Sequence, residues 1–223
     1  CLHKRGLGIH SPMISDWAMQ FLQAGSVTNA NKPMHQRKVV ASCAVGTRRF
    51  YEFLNDSAVV EMKSIDYVTS PEVIARHQRF VAISGTQKLD LTGQACSDHA
   101  VLGMYSTVGS MDEMATTTHL SRGGRFIVVL TSQDPHGKSN IVPTLSGGES
   151  VLLRRADIDY VVPAYGHAQL RNCSLRYRAL RLISLAHPDH RTELLKAATH
   201  WKLIPVEFPI SATSLDFTPG EHT

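Results

Sequence analysis

Residues Gly6–Gly25, GLGIHSPMISDWAMQFLQAG, decide how the rest of the chain is read. The stretch opens as a glycine-punctuated turn at Gly6 and Gly8, passes through His10-Ser11-Pro12 and then takes on helical marks. Ser15 and Asp16 suit an N-cap, Gly25 suits the residue just past a helix, and Trp17, Phe21 and Ala24 recur at i, i+4 and i+7. A turn feeding a capped helix presents free backbone N–H groups, which favour an acidic or anionic group there.

Outward from this stretch, strands and helices alternate. Lys38–Val45 (KVVASCAV) reads as a strand buried on both faces, and Arg48–Leu54 as a short helix directly after it. Val59–Val68 reads as a strand, and Ser70-Pro71-Glu72 as a helix start with proline at the first helical position. Phe80–Ser84 is a further buried strand, with Leu89–Thr92 its expected antiparallel neighbour through a tight loop. Strands follow from Arg125, over Asn140–Leu145 and within Val151–Val162, and Pro143 argues for an edge or a strand end. Leu175–Ala186 is an amphipathic helix with Leu175, Ala179, Leu182 and Ala186 on one face and Arg176, Arg178 and Arg181 largely off it. Pro188-Asp189 starts another helix that runs to Trp201. This alternation is the signature of an α/β fold with a largely parallel or mixed sheet flanked by helices.

At 223 residues and 43% hydrophobic, the chain can bury a substantial core. Its longest apolar run, Phe126–Leu130, is too short to span a bilayer, which argues against a membrane role. The start at Cys1, without methionine, suggests a processed or truncated product. Cys1, Cys43, Cys96 and Cys173 form no Cys-x-x-Cys pair, which favours free thiols in a reducing, cytoplasmic compartment; Cys43 lies in an apolar run and is expected in the core. The 12 histidines include no His-Glu-x-x-His or comparable spacing, so no metal site is expected. A net charge of +4 and pI near 9.0 come from scattered lysines and arginines without an aromatic-interleaved basic stripe, which argues against nucleic-acid binding.

One resemblance spans most of the chain. GLGIHSPMISD, VVASCAVGTRRFYEFLND, EMKSIDYVTSPEVIARHQRFVAI, LDLTGQACSD, SRGGRFIVVL, IVPTL, DYVVPAYGHAQLRN and RALRLISLAHPDHR occur in that order from about Leu7 to Leu195. They resemble the C-terminal half of the acetyl-CoA hydrolase/transferase family, which includes acetate and 4-hydroxybutyrate CoA-transferases. The resemblance implies a CoA-transferase-like fold, a family domain over residues 1–200 with a tail at 201–223, and a missing N-terminal half or a homo-oligomeric partner. It also implies an acyl-CoA and a short carboxylic acid as ligands, with coenzyme A as substrate and no covalently bound cofactor.

Where the family reads GIHSEM or GIHTEM, its glutamate attacks the acyl-CoA and then carries CoA as a thioester; this chain has Pro12 there. Proline has neither charge nor nucleophilic atom, so the family reaction is expected to be absent or very slow. Further on, the family's Gly-Gly-Gln-x-Asp-Phe brings backbone close to the thioester, and here Gly109 survives beside Ser110, Met111, Glu113 and Met114. Glu113 is the best-placed alternative carboxylate by order in that motif, yet an acid held by nearby donors is its expected role. Pro163 and Ala164 stand where the family has threonine and glutamate. The resemblance leaves Ser84, Gly109, Ser110 and Arg125 as CoA- or acyl-binding positions and no catalytic residue.

Overall fold

The computed structural model describes residues 2–97 and 110–205. Contacts divide the chain into two compact units: one formed by Cys1–Phe80 and Thr117–Gly124, the other by Val81–Thr116 and Arg125–Thr223. Gly109 and the tail beyond residue 205 lie outside the described residues.

The first unit is a β-α-β-α-β succession. β1 (His10–Ile14), α1 (Asp16–Gln23), β2 (Val39–Ala44), α2 (Arg48–Asn55) and β3 (Val60–Met62) give a three-stranded parallel sheet in the order β1-β2-β3. Two short helices follow, α3 (Ile65–Val68) and α4 (Pro71–Arg76), and a 3₁₀ turn at Thr118–Leu120 completes the unit. The core gathers Ile9, Ile14, Val39 and Ala41 from the sheet side with Ala18, Met19 and Phe50 from the helices. Crossover helices must cover a parallel sheet, and this apolar set lets α1 and α2 do so.

Several local expectations change here. His10-Ser11-Pro12 belongs to a strand rather than a turn. Proline is tolerated there because β1 is an edge strand, where a missing N–H costs no ladder bond. Helix α1 buries Ala18 and Met19, while Trp17 is exposed and stacks edge-on against Phe21 with ring centroids 5.9 Å apart. The stop at Gly25 holds: its φ is +68°, its N–H donates to Leu22 O at 3.0 Å and that of Ser26 to Phe21 O at 3.1 Å, the paired bonds of a Schellman ending. The expected strand Val59–Val68 stops at Met62, because Ile65 and Val68 are spaced for a helical turn and Val68 N–H bonds to Ser64 O. Cys43, expected in the core, is exposed, since it lies opposite the exposed Met13 at the uncovered end of the β1–β2 ladder.

The second unit holds two sheets. β4 (Val81–Gly85), β7 (Arg125–Val129), β9 (Tyr160–Val162) and β10 (Ala168–Gln169) form one in the order β10-β9-β7-β4, with β4, β7 and β9 parallel. β5 (Lys88–Asp90), β6 (Ala95–Cys96) and β8 (Ile141–Val142) form the other. Leu89–Thr92 is therefore not a hairpin partner of β4. Thr86 N–H continues the first ladder by bonding Val129 O, and Gln87 N–H already bonds Cys96 O, so the chain passes straight into the second sheet. β4 is an outer strand rather than a buried one, with Val81 and Ile83 51% and 65% exposed.

Helices α5 (Met111–Thr117), α6 (Leu175–Leu185) and α7 (Pro188–His200) complete the unit. Leu180, Leu182 and Ile183 of α6 are buried; Leu175 is not, and Arg178, read as largely off the apolar face, is. Its guanidinium donates to the carbonyls of Arg155 (2.7 Å) and Cys173 (3.3 Å), which satisfies the buried charge, and desolvation still lowers its pKa. Among the described residues, no helix is long and apolar enough to cross a membrane.

Candidate functional site

Pro12 sits in the first unit, and the register around it identifies its neighbours. Ser11 lies opposite Ala41 and Met13 opposite Cys43, so Pro12 lies opposite Ser42. Strand alternation puts Pro12 on the same sheet face as His10, Val40 and Ser42. On that face His10 is buried, and its Nε2–H donates to Val68 O at 2.9 Å, which leaves Nδ1 as a bare lone pair. The His10 ring lies 4.9 Å from that of His77 and 6.0 Å from that of Phe80, and His77 is 5.6 Å from Phe80.

His10 Nδ1, His77 Nε2 and Ser42 Oγ are buried without a hydrogen-bond partner. Burial pushes both histidines down to about 4, and Lys32 and His35 add unfavourable charge; for His10 the Val68 carbonyl opposes the shift. At neutral pH both rings are therefore uncharged. Lys32 is itself buried, its ammonium donating to Ile9 O (2.9 Å) and Lys38 O (2.8 Å), and desolvation lowers its pKa to about 8 against the pull of Glu61.

A second polar group stands nearby in sequence on β3 and α3. His35 Nδ1 lies 2.6 Å from the Glu61 carboxylate and its Nε2 2.7 Å from Tyr67 Oη, and Glu61 also pairs with Lys63 at 2.7 Å. Lys63, and then His35, hold the Glu61 carboxyl below its usual range. Glu61 is thus a structural acid, and the described groups on the face of Pro12 are an imidazole, a hydroxyl and apolar side chains.

At the carboxyl ends of β1 and β2, Asp16 bonds Thr47 twice, from the Thr47 N–H (3.0 Å) and from its hydroxyl (2.5 Å). A Cβ on Gly46 would meet Asp16 Oδ2 at 2.5 Å and the ring of the buried Phe50 at 2.7 Å, so a side chain there would have to displace both. These bonds pull Asp16 below its usual pKa range.

In the second unit, the expected positions separate. Ser84 lies at the carboxyl end of β4, the end of a parallel sheet where ligands bind in open α/β folds. It shares a face with Phe126 and Val128. Arg125 begins β7 at the amino end and lies opposite Val81 on the other face. The sheet therefore does not converge Ser84 and Arg125 on one ligand. Ser110 precedes α5, with its carbonyl accepting from Met114 N–H at 3.0 Å.

The Ser84 and Ser110 regions do meet, through residues that the sequence alone did not single out. Ser97 Oγ lies 3.2 Å from Thr86 Oγ1 and 3.8 Å from Met111 Sδ, and Thr86 Oγ1 donates to Cys96 O at 2.7 Å. The signal was available in ACSD, where two small polar residues follow a buried strand. Glu113 lies in the first turn of α5 and is exposed. Past β9, Tyr165 packs edge-on against His187 at 5.3 Å and under the Arg191 guanidinium at 5.8 Å.

Comparison with known proteins decides the lineage: the pattern described as the acetyl-CoA hydrolase/transferase C-terminal domain matches residues 46–198. The chain belongs to the acetyl-CoA hydrolase/transferase family.

Relatives of this CoA-transferase domain include succinyl-CoA:cyclohexane-1-carboxylate CoA transferase of Geobacter metallireducens, 41% identical over 198 residues, which cover 88% of this chain and 45% of the relative. The 4-hydroxybutyrate coenzyme A transferase of Clostridium kluyveri is 40% identical over 194 residues, 86% of this chain and 45% of the relative. Among solved structures, RipA from Yersinia pestis superposes with a TM-score of 0.85 at 35% identity, over 91% of this chain and 46% of that one. The 4-hydroxybutyrate CoA-transferase of Porphyromonas gingivalis gives 0.75 at 33% identity, over 88% and 46%. The chain thus spans less than half the length of these relatives, and its α/β fold is that of CoA-transferase domains.

Proposed function

We propose that this chain is the C-terminal portion of an acyl-CoA:carboxylate CoA-transferase or acetyl-CoA hydrolase system, in the cytoplasm, and that it does not carry CoA covalently at residue 12. The observation that carries this reading is Pro12 on β1. The covalent route needs a side-chain atom that attacks the acyl carbonyl and later holds the CoA sulfur, and a pyrrolidine ring supplies none. His10 Nδ1 is a lone pair two residues away, but it is buried, and an external thioester cannot reach a buried nitrogen. The sequence and fold likeness to CoA-transferases supports an acyl-CoA and a short carboxylic acid as ligands, with Ser84, Gly109 and Ser110 the positions assigned to the acyl-CoA. Arg125 has the weaker claim, because it stands at the opposite end and face of its sheet from Ser84. An N-terminal partner portion belongs to the same reading.

A second reading, a catalytically silent CoA-binding or subunit-interaction domain, is favoured by the same proline. Incubation with acetyl-CoA, followed by intact-mass measurement with and without hydroxylamine, tests the covalent step: no hydroxylamine-sensitive adduct is expected. An adduct forming at the rate of turnover would overturn the reading. Saturable CoA binding without acetate-dependent exchange would select the silent domain over the transferase.

A further inference from the structure

In the first unit, His35 stands between an acid and a phenol. Its Nδ1 lies 2.6 Å from Glu61 Oε2 and its Nε2 2.7 Å from Tyr67 Oη, and the Tyr67 ring is set edge-on to the imidazole with centroids 5.6 Å apart. The direction of this chain follows from Glu61. Lys63, 2.7 Å from the other carboxylate oxygen, and then His35 hold Glu61 below the usual carboxylate range, so at neutral pH it is ionised and can only accept. The Nδ1 that faces it therefore carries a hydrogen, and a neutral ring then offers Nε2 to the phenol as a base. A nucleophile hydrogen-bonded to an imidazole whose far nitrogen is fixed by a carboxylate is the arrangement that activates serine and cysteine in acyl transfer, and a tyrosine takes the nucleophile's place here.

Three further features suit that reading. His35 sits at φ +51°, in the left-handed region that a non-glycine residue occupies at a cost, and its carbonyl accepts from Lys38 N–H at 3.1 Å, so the loop holds the imidazole in place against backbone strain. Lys63 Nζ lies 5.9 Å from the centroid of the Tyr67 ring, a cation beside the charge that develops as the phenol loses its proton. The side chains of His35 and Glu61 are 19% and 32% exposed and Tyr67 is half-buried, so the chain of groups is sheltered yet open to a small molecule.

We infer that Tyr67 is an acyl-accepting nucleophile for small, uncharged, activated esters, with His35 as its base and Glu61 as the residue that positions the base. The Tyr67 oxygen attacks the ester carbonyl as its proton passes to His35 Nε2, and Glu61 stabilises the imidazolium so formed. Collapse of the tetrahedral intermediate breaks the bond to the leaving aryl oxide, which takes the proton from Nε2 and leaves O-acyl-Tyr67. Neither Pro12 nor coenzyme A takes part, so this site stands or falls apart from the functional reading above.

The test gives the chain p-nitrophenyl acetate and times the acetylation of Tyr67 and of Tyr51 by peptide mass spectrometry. Tyr51 is the comparator because it is more exposed, at 47%, and its hydroxyl accepts from Gly46 N–H at 3.2 Å, a donor rather than a base. The expected result is acetylation of Tyr67 at least about tenfold faster than that of Tyr51. His35→Gln and Glu61→Gln should each remove the advantage and leave the Tyr51 rate unchanged, which reports an intact fold. Where a variant disturbs the fold, seen as a changed Tyr51 rate, the native chain in urea replaces it, and the advantage of Tyr67 must vanish on unfolding. A purely structural chain of hydrogen bonds predicts the reverse: a tied, half-buried Tyr67 reacts more slowly than Tyr51 and speeds up when Glu61→Gln loosens it. That order overturns the inference, and so does an advantage that survives both substitutions or unfolding.

Discussion

At the scale of single residues, the histidine pair behind Pro12 sets a pH dependence whose sign follows from burial. His10 and His77 are held at about 4 in the folded chain, against about 6.5 when solvated, so the unfolded chain binds more protons between those values. Stability from the neutral pair is complete above about pH 6.5 and is lost as pH falls towards 4. Each histidine contributes at most about 3 kcal/mol, because the two share surroundings and cannot be summed freely. Urea unfolding monitored by Trp17 fluorescence in a Trp201→Phe background should show a midpoint that drops steeply over that window. His77→Phe should flatten the drop, and a wild-type midpoint that stays level from pH 7 to pH 4.5 would contradict the assignment. Position 12 predicts the reverse, insensitivity. Pro12→Glu adds a carboxylate on an edge strand beside a hydroxyl that has no partner, so at neutral pH it should shift stability by no more than about 1 kcal/mol, read from the urea midpoint.

At the scale of elements, glycines at the two helix ends separate two physical causes of the same residue choice. Gly25 has φ +68° but open space around its missing Cβ, so Gly25→Ala should cost only the conformational strain, about 1 kcal/mol. At Gly124, where the 3₁₀ turn gives way to β7, a Cβ would stand 2.1 Å from the carbonyl oxygen of Thr118, and backbone cannot yield as a side chain can. Gly124→Ala should therefore cost about 2–3 kcal/mol or abolish folding, a difference that thermal melts of the two variants resolve. The same contrast shows what the sequence could and could not reveal. The Gly25 stop, the β2 strand, buried only over Val39–Ala41, and the Pro71 and Pro188 helix starts were legible because each depends on residues within a few positions. The fate of IDYV and of Leu89–Thr92 was not, because short apolar runs fit a strand or a helical turn equally, and β5 pairs not with β4 but with the nearby Ala95–Cys96 and with Ile141–Val142, far off in sequence. The buried Arg178 was hidden for a related reason: only the fold reveals that the carbonyls of Arg155 and Cys173 converge on its guanidinium. At the site, Pro12 was legible through one motif, whereas ACSD marks Ser97 as a small polar residue after a buried strand without revealing that it links the ends of β4 and α5.

At the scale of the whole molecule, charge and length bear on how a CoA ligand would be held. The chain carries 23 lysines and arginines against 19 acids, a net +4 spread over the sequence rather than gathered at one loop. Coenzyme A is a polyanion, so a diffuse positive field favours its approach, yet such a field is screened once the Debye length falls below the spacing between charges and ligand. If the phosphates are held mainly by this scattered charge, raising NaCl from about 50 to about 500 mM should weaken CoA binding several-fold, because the Debye length shrinks from roughly 14 to roughly 4 Å. Titration calorimetry at the two salt concentrations measures this, with dephospho-CoA as a comparison that removes one phosphate. The expected pattern is a smaller salt effect for dephospho-CoA. Equal affinities at both salt concentrations would instead place the binding energy in the pantetheine and acyl portions, whose uncharged contacts are insensitive to ionic strength.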